Sequence, residues 1–160
     1  MSQSQGHILV VDDSPVNRML LCQALQMQGY TVTPVADGPQ ALKLLGQADH
    51  GLEVVLLDVM MPVMDGYEVL QTIKGDAEMR QLPVIMITAV EELESVVRCI
   101  ELGAEDYLTK PYQPQLLKAR MNACLEKKRL RDQEVEYLRN VDLLTSAASS
   151  VEAADFSPAS

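Results

Sequence analysis

The chain contains 160 residues, 48% of them hydrophobic, and carries a formal net charge of −10 at pH 7. This length accommodates one domain with a buried core and a further segment. The negative charge argues against direct binding of nucleic acid, which requires a basic face. No run approaches about 18 consecutive apolar residues, so we expect no membrane-spanning helix and no membrane partner. The amino-terminal MSQSQGH lacks the pattern of a signal sequence, and the scattered cysteines suggest reduced thiols, so we expect a cytoplasmic protein.

Apolar segments of strand length alternate with segments of helical period along most of the chain. The predicted strands are HILVV, YTVTPV, EVVLLD, PVIMIT and DYLTK, in that order. Helices are predicted to begin at Ser14-Pro15 and at Asp37-Gly38-Pro39, to cover residues 66–74 and 91–102, and to begin again at Pro114. Five such units predict an α/β fold with a doubly wound, five-stranded parallel sheet, (βα)5, covered by helices on both faces. The continuous apolarity of EVVLLD indicates a strand buried on both faces, and Pro34 indicates an edge or irregular strand.

Polar side chains stand at the carboxyl ends of four predicted strands, where parallel sheets gather their functional sites. Asp12 and Asp13 end the first strand, Asp58 the third, Thr88 the fourth and Lys110 the fifth. Each of these residues alone is more often a turn former, a helix cap or a surface residue. Together they supply oxygen ligands suited to Mg²⁺, a cation and a hydroxyl suited to a phosphoryl group, and an aspartate that could act as nucleophile. We therefore predict a magnesium-dependent phosphoryl site at this edge of the sheet.

Four motifs carry a resemblance to a known family. VVDDSPVNR, LLDVMMPVMDGYE, PVIMITA and GAEDYLTKPY occur in the order and spacing of receiver domains from bacterial two-component response regulators. Residues 6–125 resemble such a receiver, which implies a flavodoxin-like arrangement of the (βα)5 fold. The resemblance also implies that Asp58 is the phosphoacceptor. It further implies that Mg²⁺ is held by Asp12, Asp13, Asp58 and the backbone carbonyl of Met60.

The same resemblance implies further site residues. Thr88 and Lys110 would bind the phosphoryl group, and Tyr107 would be the aromatic switch residue that turns inward after phosphorylation. Lys110-Pro111 would be a cis peptide bond. Met60 and Val90 match the two positions that tune dephosphorylation in the family. Because both are apolar, neither can orient an attacking water, and we expect a phosphoryl group that lasts minutes or longer.

The segment after residue 125 repeats its apolar positions in steps of four and three. This heptad pattern predicts that residues 126–154 extend the last helix into a parallel coiled coil, which would make the protein a homodimer. The alternative is a single amphipathic helix that folds back on the receiver. Residues 1–5 and 155–160 are expected to be disordered, and the chain to be either a fragment of a longer signalling protein or a stand-alone receiver. The seam consists of Leu130, Glu134, Tyr137, Val141, Leu144, Ala148 and Val151.

We therefore expect a phosphorylation-dependent receiver. Asp58 would take a phosphoryl group from a sensor histidine kinase, a phosphotransfer protein or a small phosphodonor. The carboxyl-terminal helix would relay the signal to an output domain or effector, and the chain would have no enzymatic activity beyond its own phosphorylation. Three alternatives stay open: an interaction module with an unused site, the regulatory fragment of a nucleotide cyclase-type enzyme, and a metal-dependent phosphatase or related hydrolase. Neither GxxxxGK[ST] nor GxGxxG follows the first strand, which argues against nucleotide-binding folds.

Overall fold

A computed structural model describes residues 4–89 and 92–155, with side chains through residue 146. Strands and helices alternate through these residues as the sequence predicts. The strands are β1 (His7–Val11), β2 (Thr31–Val35), β3 (Val54–Asp58), β4 (Val84–Thr88) and β5 (Asp106–Thr109). The helices are α1 (Pro15–Met27), α2 (Gly38–Leu45), α3 (Gly66–Gly75), α4 (Leu93–Glu101) and α5 (Pro114–Asp155).

The strands form one sheet in the order β2-β1-β3-β4-β5. Every neighbouring pair is parallel, which confirms the predicted (βα)5 topology. The strand β2 lies at one edge, where Pro34 has only one neighbouring strand and the missing N–H is tolerated. The strand β3 lies at the centre with every residue buried, as its continuous apolarity predicts.

Two hydrophobic clusters cover the two faces of the sheet. On one face, Leu9, Leu57 and Met86 pack with residues of α2, α3 and α4. On the other face, Ile8 and Leu56 pack with residues of α1 and α5. Successive strand residues alternate between the clusters because side chains of a strand point to opposite faces. The sheet is therefore doubly wound, and its loops at the carboxyl ends of the strands are left to form a site.

Three helices begin with a side-chain cap directly after a strand or its loop. Ser14 Oγ accepts a hydrogen bond from the Asn17 amide, and Asp37 Oδ1 accepts one from the Gln40 amide. Asp65 Oδ1 accepts one from the Glu68 amide. Each bond satisfies an amide that the first turn of a helix leaves unpaired. Asp37, the polar residue after the second strand, is thus a helix cap.

Some boundaries differ from the prediction. The helix α4 begins at Leu93, later than the predicted residue 91, which lies outside the described residues. Gln5 donates its amide to the Gly29 carbonyl over 2.9 Å, and Ser4 Oγ bonds the Thr31 hydroxyl over 2.8 Å. Both residues therefore differ from the disorder predicted for residues 1–5, because they pair with the turn before β2. Asp155 is the last residue of α5, and the rest of the predicted disordered end lies outside the described residues.

The chain divides into two compact units, Met1–Leu125 and Glu126–Ser160. The first unit ends at residue 125, the last residue of the segment that resembles a receiver. In the second unit the seam residues Leu130, Tyr137, Val141 and Leu144 are exposed, and the side chains of Ala148 and Val151 lie outside the described residues. The coiled coil and its folded-back alternative both stay predictions. Among the described residues, no helix is both long enough and apolar enough to cross a bilayer.

Candidate functional site

Three carboxylates converge at the carboxyl ends of β1 and β3. Oxygen atoms of Asp12, Asp13 and Asp58 all lie within 4.8 Å of one another. Asp12 and Asp58 are buried, whereas Asp13 is exposed. The grouping follows from the sheet, because β1 and β3 are adjacent and parallel and therefore end at the same edge. The predicted cluster is present and has the oxygen donors that Mg²⁺ prefers.

Lys110 brings one positive charge to this cluster. Its Nζ lies 3.0 Å from Asp12 Oδ2 and 3.6 Å from Asp58 Oδ2. Lys110 follows β5 directly, and its amide donates to the Thr88 carbonyl over 2.7 Å, which continues the pairing of β4 with β5. One lysine leaves an excess of negative charge among three carboxylates. A dication would remove that excess.

The surroundings of Asp58 raise the pKa of its carboxyl group. Burial raises the pKa of Asp58 from 3.8 to about 6, against the lowering effect of Lys110, while the charge of Asp12 raises it further. Smaller effects come from the Met60 amide, which lowers the pKa, and from Asp13, which raises it. The ionised form of Asp58 is therefore less favourable than that of an ordinary aspartate, and the side chain takes up a proton at about pH 6 unless a bound cation stabilises the charge.

Asp12 is fixed by contacts that sequence reasoning did not identify. Its Oδ1 accepts the Ser14 amide over 2.9 Å, and its Oδ2 accepts Lys110. The Arg18 guanidinium donates to the Asp12 backbone carbonyl over 2.7 Å. In the sequence, only the position of Arg18 near the start of α1 pointed to this contact. The spacing along the helix did not show which atom the Arg18 side chain would bind.

The loop after Asp58 and the end of β4 contribute the other predicted residues. The Met60 amide donates to Asp58 Oδ1 over 3.3 Å, and the Met60 side chain is 62% exposed. Thr88 is the last residue of β4 and is fully buried, next to Ala89, which lines a cavity shared with Asp12 and Lys110. The predicted role of the Met60 carbonyl as a metal ligand stays a prediction. Val90 lies outside the described residues.

Two further predictions concern β5 and the residue after it. Tyr107 is half-buried and packs against the hydrophobic cluster beneath α3 and α4. Its predicted inward turn after phosphorylation stays a prediction. The Lys110-Pro111 peptide bond is cis, as the resemblance implied.

The comparisons with known proteins decide the family. The model of the response regulator receiver domain matches residues 8–122, which is most of the chain. The chain belongs to the response regulator receiver family. Members are phosphorylation-dependent receivers, and the expectation of a two-component receiver is confirmed.

Relatives and solved structures agree with this assignment. The "Two-component response regulator ORR3" of Oryza sativa subsp. indica is 36% identical over 112 residues, which cover 70% of this chain and 85% of that protein. The signal receiver domain of a histidine kinase from Syntrophus aciditrophicus is 34% identical, with a TM-score of 0.70, and the match covers 76% of this chain and 91% of that one. The chemotaxis protein CheY4 of Vibrio cholerae also has a TM-score of 0.70, at 31% identity, covering 76% of this chain and 100% of that one.

Other relatives of this receiver are longer. The "Probable transcriptional regulator ycf27" of Cyanidium caldarium is 34% identical over 151 residues, which cover 94% of this chain and 59% of that protein. Proteins of the same name from Guillardia theta and Cyanophora paradoxa are covered over 47% and 51% of their lengths. The chain therefore spans about half the length of these curated relatives.

Proposed function

We propose that this receiver accepts a phosphoryl group on Asp58 and relays the resulting change to an output partner. The observation that carries the proposal is the convergence of Asp12, Asp13 and Asp58 within 4.8 Å beside Lys110. A helix cap would need only one carboxylate, and a structural ion pair would need one carboxylate and one cation. Three carboxylates and one lysine instead suit a site that completes its charge balance with a dication and an incoming phosphoryl group.

The covalent step transfers one phosphoryl group. A carboxylate oxygen of Asp58 attacks the phosphorus of a phosphohistidine, a P–O bond forms, and the P–N bond of the donor breaks. The electron pair of that bond stays on the imidazole nitrogen, which takes up a proton. Lys110 would pair with the phosphoryl oxygens in place of its present contact with Asp58, and Thr88 would donate a hydrogen bond to them.

The donor set fits a hard divalent cation. Asp12, Asp13 and Asp58 would hold Mg²⁺ together with the carbonyl of Met60. Burial, and to a smaller extent the charge of Asp12, raises the pKa of Asp58, and a bound cation would stabilise its ionised form. The bound ion would shield the negative charges that otherwise repel the phosphoryl group. Arg18 and the Ser14 amide keep Asp12 in place for this purpose.

The partner that donates the group would be a sensor histidine kinase or a phosphotransfer protein in the cytoplasm. A cavity of about 590 Å³ adjoins the site, and its lining includes Leu20, Tyr112, Asp12 and Lys110. Leu20 is exposed at this lining, and Val16 and Met19 of the same helix are exposed as well. An apolar surface at the mouth of a phosphoryl site suits a protein donor, which must bring its imidazole close to Asp58.

On the output side, the helix after residue 125 would act as the relay. The exposed residues Leu130, Tyr137, Val141 and Leu144 follow the heptad spacing, so we propose a parallel homodimer through this seam.

The receiver would have no turnover of an external substrate. One relative, a "Probable cyclic di-GMP phosphodiesterase" of Vibrio cholerae, is 41% identical over 81% of this chain but is covered over only 29% of its length. An enzymatic output would therefore belong to a segment outside this match.

A phosphorylation assay tests the proposal. Acetyl phosphate with Mg²⁺ should raise the mass of the protein by one phosphoryl group, chelation should prevent the increase, and Asp58→Asn should abolish it. Asp37→Asn is the matched control, because Asp37 also follows a strand but caps α2. Absence of any increase would favour an interaction module with an unused site, and many turnovers of a generic phosphate ester would favour a hydrolase.

The lifetime of the label is part of the same proposal. Met60 cannot orient an attacking water with its apolar side chain, and neither could the side chain of Val90, so hydrolysis of the acyl phosphate should take minutes or longer. Loss of the label within seconds from purified, phosphorylated protein would contradict this expectation.

A further inference from the structure

A contact between α3 and α4 lies outside the site described above. The Tyr67 hydroxyl on α3 shares a hydrogen bond with the Ser95 hydroxyl on α4. The Arg98 guanidinium stacks over the Tyr67 ring, 4.0 Å from its centroid. Stacking of this kind is attractive because the ring face carries negative charge. The three residues thus join the first turn of α3 to the first two turns of α4.

On the α3 side, the contact is fixed to the backbone that carries Asp58. The Gly66 amide donates to the Val59 carbonyl over 2.8 Å. A Cβ atom at Gly66 would lie 2.7 Å from the Val59 Cα, so the helix begins as close to this backbone as a glycine allows. Tyr67 is the next residue. A displacement of the Asp58–Val59 backbone would therefore be carried directly to the Tyr67 ring.

On the α4 side, few buried side chains and no side-chain capping bond hold the helix in place. All residues of α4 are described, and its buried ones are Ser95 and Cys99, both small. Leu93 and Ile100 are exposed. The N-cap residue Glu92 makes no side-chain capping bond, unlike the caps of α1, α2 and α3. A helix that buries so little apolar surface is easier to displace than its neighbours, so one side-chain hydrogen bond contributes a large share of its fixation.

We propose that Tyr67, Ser95 and Arg98 form a latch that holds α4 in the position described here, and that phosphorylation of Asp58 opens it. The inference rests on the proposed phosphorylation of Asp58. The latch favours the arrangement in which α4 is held, so removing it shifts the equilibrium toward the phosphorylated arrangement. A ligand that mimics the phosphoryl group then binds more tightly, because less of its binding free energy is spent on opening the latch.

The test compares two latch variants with a matched control by titrating Mg²⁺-saturated protein with fluoroberyllate, a phosphoryl mimic. Tyr67→Phe removes the hydroxyl and keeps the ring under Arg98, and Ser95→Ala removes the other half of the bond. Tyr30→Phe is the control, since the buried Tyr30 donates a hydrogen bond to Asn122 on the opposite face. We expect both latch variants to bind the mimic about fivefold more tightly than wild type, with Mg²⁺ affinity unchanged and the control at the wild-type value.

A second measurement follows the helix itself. Amide hydrogen exchange in residues 93–101 should be faster in Tyr67→Phe and Ser95→Ala than in Tyr30→Phe, and the mimic should accelerate it in wild type. Unchanged or weaker binding of the mimic by both latch variants would overturn the latch, and so would an equal gain in the control. Failure of wild type to bind the mimic at all would overturn the proposed function together with the latch, so the two failures are distinguishable.

Discussion

Asp58 is a carboxylate whose ionisation the folded chain opposes. It is 6% exposed, and burial together with the charge of Asp12 outweighs the favourable effect of Lys110. Such a group binds protons more tightly in the folded state than in the unfolded state. Its ionisation therefore lowers the free energy of unfolding as the pH rises from about 4 to about 6.

Asp58→Asn should remove this dependence. At pH 7 without Mg²⁺, we expect the variant to have a free energy of unfolding higher than wild type by roughly 1–3 kcal/mol. The difference should shrink as the pH falls from 6 to 4, where wild-type Asp58 becomes protonated. Urea denaturation at several pH values measures it. A variant less stable than wild type at pH 7, or a difference that does not change with pH, would contradict the assignment of Asp58 as a destabilising anion. Mg²⁺ should stabilise wild type more than the variant.

Val63 is a second residue whose conformation costs free energy. It lies in the loop after Asp58 with φ of 68°, a left-handed conformation that is rare for β-branched residues, and its side chain is 98% exposed. Val63→Asn should therefore raise the free energy of unfolding by about 0.5–1 kcal/mol, because asparagine tolerates this conformation and no packing is lost. Val63→Ile, which keeps the branched Cβ, should leave the stability unchanged. Equal stability of Val63→Asn and Val63→Ile would rule out this source of strain.

Sequence reasoning found the residues at the strand ends but not those that support them. Asp12, Asp58 and Lys110 could be grouped because parallel strands end at one edge of a sheet. Arg18 could not be placed on the Asp12 carbonyl, because spacing along a helix does not specify which loop atom a long side chain reaches. The contact of Tyr67 with Ser95 joins residues on two different helices, and neither residue type carries a pairing signal.

The junction of β3 with α3 leaves no room for a side chain at Gly66, where an added Cβ would overlap the Asp58 carbonyl oxygen. Gly66 is needed there for close approach, whereas Gly75 at the other end of α3 has nothing within 4 Å of an added Cβ. The sequence predicts a helix over residues 66–74, and the structure confirms that α3 begins at Gly66. What the pattern did not show is that the glycine faces the Asp58 backbone.

Gly66→Ala should lower the free energy of unfolding by about 1–3 kcal/mol, because the new methyl group overlaps the Asp58–Val59 backbone. Gly75→Ala is the matched control and should be neutral or more stable by less than about 1 kcal/mol, since alanine favours the helix. Thermal and urea denaturation of both variants measure the difference. Equal effects of the two substitutions would contradict the close approach at Gly66.

The two units of the molecule differ in how far their apolar residues are buried. The first buries its apolar residues in the two clusters on the sheet, whereas the described seam residues of the second are exposed. The sheet and its helices were predictable because each element buries its own apolar face. The sequence could not show what covers the exposed seam. Heptad spacing is compatible with packing against a second copy of the chain and with packing against a surface of the same chain.

Glu134 is the one charged residue among the seam positions, and its replacement tests the proposed dimer. Glu134→Leu should shift the protein toward dimer at a given concentration, because two carboxylates no longer face each other across a parallel seam. Glu136→Leu is the matched control, since Glu136 lies off the seam and should leave the dimer fraction near the wild-type value. Sedimentation velocity measures both. Monomer at high concentration in wild type and in Glu134→Leu would remove the coiled coil, and an equal gain in the control would point to non-specific association.

The most direct test of the account is to locate the phosphoryl group on the chain. Protein labelled with acetyl phosphate and Mg²⁺ is reduced with borohydride, which converts an aspartyl phosphate to homoserine, and is then digested and sequenced by mass spectrometry. We predict homoserine at position 58, with Asp12 and Asp13 unchanged. Homoserine at another aspartate, or an unreduced Asp58 in protein whose intact mass shows the label, would contradict the assignment of Asp58 as the phosphoacceptor.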